Sequence, residues 1–282
     1  MSYSSSSPGQ TRPTHICSYV NRHAASPSEA CVRAALEPSG HSDLLESRME
    51  RLCIVIPAFN EAETVGHVVH QLHAQLRLAT LVVVDDGSTD GTGDVALQAG
   101  AVVLSLPVNL GIGGAVQTGY RYALAHHFQY AMQVDGDGQH RAEEATRLLA
   151  PVFAGAADLA VGSRWLGRGE YNAPFGRRFG MRILSALVRW RTHIQFTDTT
   201  SGFRALGPKA LELFALTYPT DFPEVESLVL ACKARLLVVE VPATMNERAH
   251  GRSSIAGLRS AYYMARVGAA LMLGVPGPVQ RT

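Results

Sequence analysis

Continuous apolar runs that end in acidic residues are the feature that most limits how this chain can fold. Leu52–Ile56, Leu81–Val84 and Tyr130–Val134 are each typical of a strand that is buried on both faces. A further short strand is predicted over Ala101–Leu106, and helical segments separate the runs. This alternation over residues 52–135 predicts a parallel sheet covered by helices, an α/β fold.

Polar and acidic residues follow three of these predicted strands. They are Asn60-Glu61, Asp85-Asp86 and the pair Asp135/Asp137. A polar turn would explain any one of them, because Asp and Gly favour turns. In a parallel sheet, however, the carboxyl ends of the strands share an edge, and ligands gather there. Three acidic clusters at one edge therefore predict a binding site.

The segment Tyr130–His140, with the sequence YAMQVDGDGQH, is the centre of this predicted site. A straight strand would point Asp135 and Asp137 to opposite faces, but the glycines beside Asp137 allow the chain to bend. Two convergent carboxylates repel each other unless a cation lies between them, and oxygen ligands suit Mg²⁺ or Mn²⁺. Taken alone, the pair leaves a metal site and a polar turn as alternatives.

Two loops near the other strand ends have local signatures. Asn60 and Glu63 could form a capping box at the start of a helix. The glycine cluster of Asn109–Gly114 resembles a phosphate-binding loop but lacks the G-x-G-x-x-G spacing. We therefore expect it to allow close packing of a helix on the sheet rather than to bind a dinucleotide.

The second half of the chain is less regular. A short strand over Leu159–Val161 leads into Gly162-Ser163-Arg164, and another strand is predicted over Leu236–Val241. Phe175–Trp190 is a basic amphipathic helix, typical of a membrane-surface or phosphate-facing element, although solvated arginines would give the same pattern. Asp198–Arg204 is predicted to be a polar turn.

Composition and charge exclude several classes of function. The 282 residues carry a formal net charge of only +1, which argues against a nucleic-acid partner. Neither a signal peptide nor an apolar stretch of about 20 residues, the length of a spanning helix, is present in the sequence. We therefore expect a cytoplasmic protein, and a peripheral position on the cytoplasmic membrane face is compatible with that.

The predicted organisation has three parts. Residues 1–48 are predicted to form a disordered tail, residues 49–254 the folded α/β domain, and residues 255–282 a C-terminal helix and tail. Met49 stands just before the first strand, so a shorter active chain could begin there.

The motifs, in this order, resemble those of the inverting nucleotide-sugar glycosyltransferases of family 2, which have a GT-A fold. The branch to which the chain is most similar is that of the polyprenyl- or dolichyl-phosphate mannosyl- and glucosyltransferases. The matching motifs are IPAFNE at Ile56–Glu61, VVDDGSTDGT at Val83–Thr92, NLGIGGA at Asn109–Ala115, VDGDGQH at Val134–His140, GSR at Gly162–Arg164, DTTSGFRA at Asp198–Ala205 and ERAHGRSS at Glu247–Ser254. Each motif is weak alone, and the set is specific.

The resemblance implies roles for individual residues. The donor nucleotide sugar would be held by Pro57, Phe59, Glu61, Asp85, Asp86, Asp135, Gly136 and Gln139. Mg²⁺ or Mn²⁺ and the diphosphate would be bound by Asp135, Asp137 and Gln139. Phosphate of the acceptor would be held by Arg177 or Arg178, Arg248 and Ser253. Asp137, Arg164 and Arg248 would be the catalytic residues.

The chemistry of the acceptor decides whether a base is needed. A lipid phosphate is already an anion at neutral pH, and arginines can hold it by bidentate hydrogen bonds. A hydroxyl acceptor would need a carboxylate as general base. The candidates for that role are Asp198, Asp221, Glu224 and Glu226.

The sequence thus predicts metal-dependent transfer of mannose or glucose from a nucleotide diphosphate sugar to a polyprenyl phosphate. The alternatives are transfer to a hydroxyl of a soluble or natural-product acceptor, and a non-catalytic sugar-nucleotide-binding or scaffold protein. Two departures from the family bear on the acceptor. The chain has no lysine near Ser254 and none of the C-terminal transmembrane helices of many relatives, so membrane contact would come from its own helices or from a membrane partner protein.

Overall fold

The structure is a computed structural model that describes residues 42–166, 175–246 and 266–268. Within these ranges it contains eight α-helices and seven strands, and residues 266–268 are also helical. The helices are α1 (Ser42–Glu50), α2 (Val65–Gln75), α3 (Thr92–Gln98), α4 (Gly111–Ala125), α5 (Ala145–Phe153), α6 (Phe175–Thr192), α7 (Pro208–Leu216) and α8 (Pro223–Lys233). The strands are β1 (Leu52–Ala58), β2 (Thr80–Asp85), β3 (Val102–Ser105), β4 (Tyr130–Gln133), β5 (Leu159–Ser163), β6 (Arg204–Leu206) and β7 (Val238–Pro242), and a short 3₁₀ helix covers Ala142–Glu144.

The strands of the described ranges form one mixed sheet in the order β3-β2-β1-β4-β6-β5-β7. The first four strands of the chain pair in parallel, which confirms the α/β prediction for residues 52–135. Strand β6 is antiparallel to both β4 and β5, and β7 is parallel to β5. Because β6 runs the other way, the turn that precedes it lies at the carboxyl ends of β4 and β5.

Each face of the sheet is covered by its own hydrophobic core. On one face, α4, α6, α7 and α8 pack on alternate strand residues such as Val55 and Val82. On the other face, α2 and α5 pack on the intervening residues, such as Ile54 and Ile56. Burial on both faces explains why these strands are continuously apolar in the sequence.

Two local predictions are wrong. Helix α2 begins at Val65 after Thr64, so Asn60 and Glu63 do not form its cap; Asn60 lies in the preceding loop with φ of 55°. The predicted boundary between tail and domain at residue 49 falls inside α1, where Leu45 and Met49 pack against the core. The folded domain therefore begins before Met49.

Contrary to the prediction, the glycines of the Asn109–Gly114 cluster do not pack α4 on the sheet; Gly119, later in the helix, does so. A Cβ on Gly119 would lie 2.2 Å from Val55 Cγ1 of β1. A Cβ on Gly113 would instead lie 2.3 Å from the carbonyl oxygen of Pro219, in the segment before α8. Helix α4 thus contacts both the sheet and the α7–α8 connection through positions without side chains.

Gly119→Ala should destabilise the fold, because the new methyl group has no room against Val55. We expect overpacking to cost about 1–3 kcal/mol in the free energy of unfolding. The matched control is Gly66→Ala in α2. Its new Cβ would meet only the end of the Val95 side chain, Cγ1, at 3.0 Å. The higher helix propensity of alanine, about 1 kcal/mol, would offset that contact. Urea unfolding checks both; equal stability of the two variants would contradict the packing argument.

Candidate active site

The residues predicted to bind the donor and the metal ion lie at the carboxyl ends of β1, β2 and β4. Ala58, the last residue of β1, pairs with Asp85, the last residue of β2, and Asp86 N donates to the Ala58 carbonyl oxygen at 2.9 Å. Asp135 follows β4 by two residues. Phe59 is 48% exposed at this edge, so its ring is accessible to a ligand.

The loops after β1 and β2 are held together by reciprocal hydrogen bonds. Asn60 N donates to Ser88 Oγ at 2.9 Å, and Thr89 N donates back to Asn60 Oδ1 at 3.0 Å. Glu61 N donates to Thr92 Oγ1 at 2.9 Å. These contacts explain why Asn60 faces the neighbouring loop rather than capping α2, and they make the two loops one rigid unit.

Asp86 has a structural task at the start of α4. Its carboxylate accepts hydrogen bonds from Leu110 N at 2.7 Å and Gly111 N at 2.9 Å. Burial raises the pKa of Asp86, and the two backbone donors oppose that rise, while the charge of Asp85 adds to it. Any hydrogen bond that the Asp86 carboxylate accepts from a ligand would therefore use the lone pairs that are not occupied by Leu110 N and Gly111 N.

Asp135 is oriented by a buried histidine and a glycine. Its backbone N–H donates to His140 Nδ1 at 3.0 Å, and His140 Nε2 lies 3.6 Å from Asp135 Oδ2. The His140 ring is buried and stacks on Phe203, with centroids 4.7 Å apart. A Cβ on Gly202 would lie 2.8 Å from Asp135 Oδ1, so a side chain at this position would displace the carboxylate.

The loop that follows Asp135 is bent, as the glycine spacing predicted. Gly138 has φ of 73°, and Asp137 Oδ1 accepts from Gln139 N at 3.0 Å. Thr64 Oγ1 donates to the Gly136 carbonyl oxygen at 2.8 Å, which ties this loop to the start of α2. Asp135, Asp137 and Gln139 therefore belong to one compact loop.

This loop fits a divalent ion that is shared with a ligand. In the part of the chain that the structure describes, no group of three or more His, Cys, Asp or Glu residues could hold a metal ion. Mg²⁺ is commonly bound by one or two carboxylates together with substrate phosphates. The Asp135/Asp137 pair matches that donor set, in which a diphosphate supplies the remaining oxygens.

Arg164 is held at the end of β5 by a bidentate ion pair. Its Nε lies 2.6 Å from Asp198 Oδ2 and its Nη2 lies 2.8 Å from Asp198 Oδ1, while Nη2 also donates to Thr200 Oγ1 at 2.8 Å. The Asp198 side chain is completely buried. A carboxylate committed in this way is not placed to remove a proton from an acceptor, so the prediction of Asp198 as a base is corrected.

Glu240 of β7 fixes the turn that carries Asp198. Its carboxylate accepts from Asp198 N at 2.8 Å and from both N and Oγ1 of Thr197 at 2.8–2.9 Å. Burial raises the pKa of Glu240, and these hydrogen bonds oppose the rise. The sequence signal for this role is a lone carboxylate in an otherwise apolar strand.

Of the other three candidate bases, Glu224 is the one whose charge interacts with Asp135 and Arg164. Burial raises its pKa; Arg204 and Arg164 oppose the rise, and Asp135 adds to it. Asp221 is exposed and forms an ion pair with Arg266 at 3.1 Å. The pKa of Glu226 is raised by burial and by Asp221, which places Glu226 on the Asp221 side of α8.

Four of the predicted phosphate-binding residues are not positioned by the structure. Arg248 and Ser253 lie outside the described residues. Arg177 and Arg178 lie in α6, whose backbone is described at these positions, but their side chains are not. Sequence reasoning in turn gave no role to His140, Gly202, Arg204 or Glu240, although the first three belong to motifs that it singled out.

His140→Phe should weaken metal binding by Asp135 while keeping the ring stack on Phe203. The variant leaves the Asp135 N–H without its acceptor, and loss of such a supporting contact typically costs about 10–100-fold in metal affinity. Titration of Mn²⁺ in the presence of UDP or GDP measures the effect. His126→Phe, which changes an exposed ring directly after α4, is the control; equal affinities for both variants would rule out the role of His140.

Comparison with known proteins agrees with this geometry. Residues 53–212 match the protein family described as Glycosyl transferase family 2. The chain is 32% identical over 218 residues to polyprenol monophosphomannose synthase of Mycolicibacterium smegmatis, covering 74% of this chain and 82% of that protein. It is 32% identical over 216 residues to undecaprenyl-phosphate mannosyltransferase of Micrococcus luteus, covering 73% and 88%.

A solved structure shares the fold. Glucosyl-3-phosphoglycerate synthase of Mycobacterium tuberculosis, crystallised with Mn²⁺, UDP and glucosyl-3-phosphoglycerate, superposes with a TM-score of 0.61. The two chains are 22% identical, and the match covers 84% of this chain and 85% of that one. The mixed sheet flanked by helices is thus the GT-A fold, and the chain belongs to glycosyl transferase family 2.

Proposed function

We propose that this glycosyltransferase moves a hexose, mannose or glucose, from a nucleotide diphosphate sugar to a polyprenyl phosphate, with inversion and with a divalent ion. The names of the two relatives that are 32% identical support a polyprenyl phosphate acceptor. The main structural support for this proposal is a groove that is lined by Arg182, Arg189 and Trp165, the residue that follows Arg164. Family membership favours an enzyme over the non-catalytic binding protein that was the alternative.

The donor half of the reaction is assigned to the edge formed by β1, β2 and β4. Asp135, Asp137 and Gln139 would hold Mg²⁺ or Mn²⁺, which, when bound, neutralises charge that develops on the leaving diphosphate. The base and ribose would lie against Pro57, Phe59, Glu61, Asp85 and Asp86. Their loops are already fixed to each other before any ligand binds, so little ordering would accompany donor binding.

The acceptor half is assigned to a groove of about 390 Å³ beside α6. Arg182 and Arg189 line it from the helix, and Trp165 and Thr197 line it from the loops that carry Arg164 and Asp198. Guanidinium groups bind phosphate through paired hydrogen bonds, and a phosphate monoester needs no base to become a nucleophile. The groove would therefore bind a lipid phosphate next to the loop that carries Arg164.

The exposed face of α6 is also suited to a membrane surface. Trp190 is 63% exposed and Ile183 is 40% exposed, and they lie beside Arg182 and Arg189 on the helix. Aromatic and apolar side chains next to arginines favour an interfacial position. We propose that the protein contacts the cytoplasmic membrane face peripherally through α6, alone or with a membrane partner protein.

Among the helices of the described residues, none has the length and apolar character needed to cross a membrane.

Transfer to a hydroxyl is the second candidate, and Glu224 is the observation that favours it. Its charge interacts with both Asp135 and Arg164, and burial raises its pKa, as suits a general base. Assays with GDP-mannose and UDP-glucose, each with a short polyprenyl phosphate or the corresponding polyprenol, separate the two candidates. Product from the phosphate alone supports the first; product from the alcohol, lost in Glu224→Gln, supports the second.

Asp137→Ala should abolish transfer while the protein stays folded, because Asp137 lies in a loop outside both cores. We expect the rate to fall by more than about 100-fold, the scale of losing one preorganised electrostatic contact. Thermal unfolding and Mn²⁺-dependent transfer are measured together. Glu212→Ala, which removes an exposed carboxylate on α7 away from this edge, is the control; full turnover by the Asp137 variant would exclude the metal role.

Replacing Arg182 and Arg189 together with glutamine should raise the KM for polyprenyl phosphate and leave nucleotide affinity unchanged. A hydrogen bond to a charged group contributes about 1.5–3 kcal/mol, so each lost contact should raise KM by about tenfold or more. Arg191→Gln is the matched control, because Arg191 lies on the same helix but does not line the groove. If the control and the double variant have equal KM values, the groove is not the acceptor site.

A further inference from the structure

Arg204 is a completely buried cation beneath the site. It is the first residue of β6 and pairs with Gln133 of β4 and with Val161 of β5. Its guanidinium donates from Nε to the Ser201 carbonyl oxygen at 2.9 Å, from Nη1 to Ser227 Oγ at 2.5 Å and from Nη2 to the Glu224 carbonyl oxygen at 2.5 Å. All three acceptors are uncharged groups.

The three acceptors belong to two separate segments. Ser201 lies in the turn formed by residues 198–203, which precedes β6, whereas Glu224 and Ser227 lie in the first turns of α8. Ser227 Oγ donates in turn to the Pro223 carbonyl oxygen, at the first residue of α8. One guanidinium therefore joins this turn to the start of α8.

The 198–203 turn supports the groups on both sides of the reaction. Gly202 lies directly against the Asp135 carboxylate, on the donor side. Asp198 and Thr200 hold the Arg164 guanidinium, on the acceptor side. Glu240 fixes the beginning of the turn, and Arg204 fixes its end. Movement of the turn would displace Asp135 and Arg164 together.

Packing alone does not account for an arginine at this position. Removing a guanidinium from water is unfavourable, and replacing buried ionic groups with apolar residues of similar volume is often neutral or stabilising. Leu206, two residues further along β6 and therefore on the same face, belongs to the hydrophobic core, so an apolar side chain at position 204 would have apolar surroundings. What an apolar side chain lacks is three donors in a fixed fork that reach two segments at once.

We propose that Arg204 is a positioning residue for glycosyl transfer: it sets the 198–203 turn and the start of α8 so that Asp135 and Arg164 keep their relative placement. The proposal rests on the glycosyltransferase reaction but not on the nature of the acceptor.

Arg204→Met tests the proposal, because methionine fills the space without donating. We expect amide hydrogen exchange of a peptide that covers residues 198–203 to accelerate at least tenfold, while peptides from β1 and β2 exchange as in the wild type. Mn²⁺-dependent binding of UDP or GDP, whichever the wild type binds, should weaken at least tenfold. Leu211→Ala on α7, in the same core, is the control: it should lower the thermal midpoint but leave exchange of 198–203 and nucleotide affinity unchanged.

Two milder variants keep the test decisive if Arg204→Met does not fold. Ser227→Ala removes one of the three acceptors, and Arg204→Lys keeps the charge but not the fork. Both should accelerate exchange of 198–203, which is measured without any ligand, so a wrong assignment of the donor would not affect it. Unchanged exchange of this turn in both variants would overturn the proposal.

A double-mutant cycle separates positioning from general destabilisation. Because the turn positions both Asp135 and Arg164, Ser227→Ala should lower kcat/KM for the donor by a larger factor in the wild type than in Arg164→Ala, where one of the two positioned groups is already missing. Equal fold losses in the two backgrounds would show that Arg204 does not act through Arg164 and would contradict the proposal.

Discussion

The antiparallel insertion of β6 between β4 and β5 is the constraint on which the site depends. Had β6 been parallel, the residues before it would lie at the opposite edge of the sheet, far from Asp135. Because it runs the other way, the 198–203 turn meets the ends of β4 and β5. The direction of this three-residue strand thereby places Asp198 next to Arg164 and Gly202 next to Asp135.

The carboxylates around this edge are each held by a specific group rather than left to water. Asp86 is held by backbone donors of α4, Asp198 by Arg164, and Glu240 by donors of the turn; His140 holds the backbone of Asp135. Such fixed contacts cost little reorganisation when charge develops during a reaction. The site is thus organised by pairs of buried polar groups, and the hydrophobic cores on both faces of the sheet support them.

The parallel half of the fold could be predicted because a strand that is buried on both faces is a continuous apolar run in the sequence. Strand β6 could not, because three residues, Arg204 to Leu206, are too few to show a period. Asn60 and Glu63 fit a capping box locally, but Asn60 hydrogen-bonds to Thr89, 29 residues away. Asp198 matched a base by residue type alone, and its pairing with Arg164 joins residues 34 apart. Local sequence patterns thus predict individual helices and strands, whereas the role of a residue depends on its contacts with residues that are distant in the sequence.

The groove beside α6 has a consequence for how members of this family diverge. Leu184 and Val188 of α6 belong to a hydrophobic core, whereas the side chains of the same helix that line the groove belong to neither core; these are Met181, Arg182, Ser185, Ala186 and Arg189. If the groove binds the acceptor as proposed, substitutions of the side chains that line it would change which acceptor is recognised without disturbing the fold or the loop that carries Asp135 and Asp137. Acceptor preference would then change by single substitutions, independently of the donor half of the site.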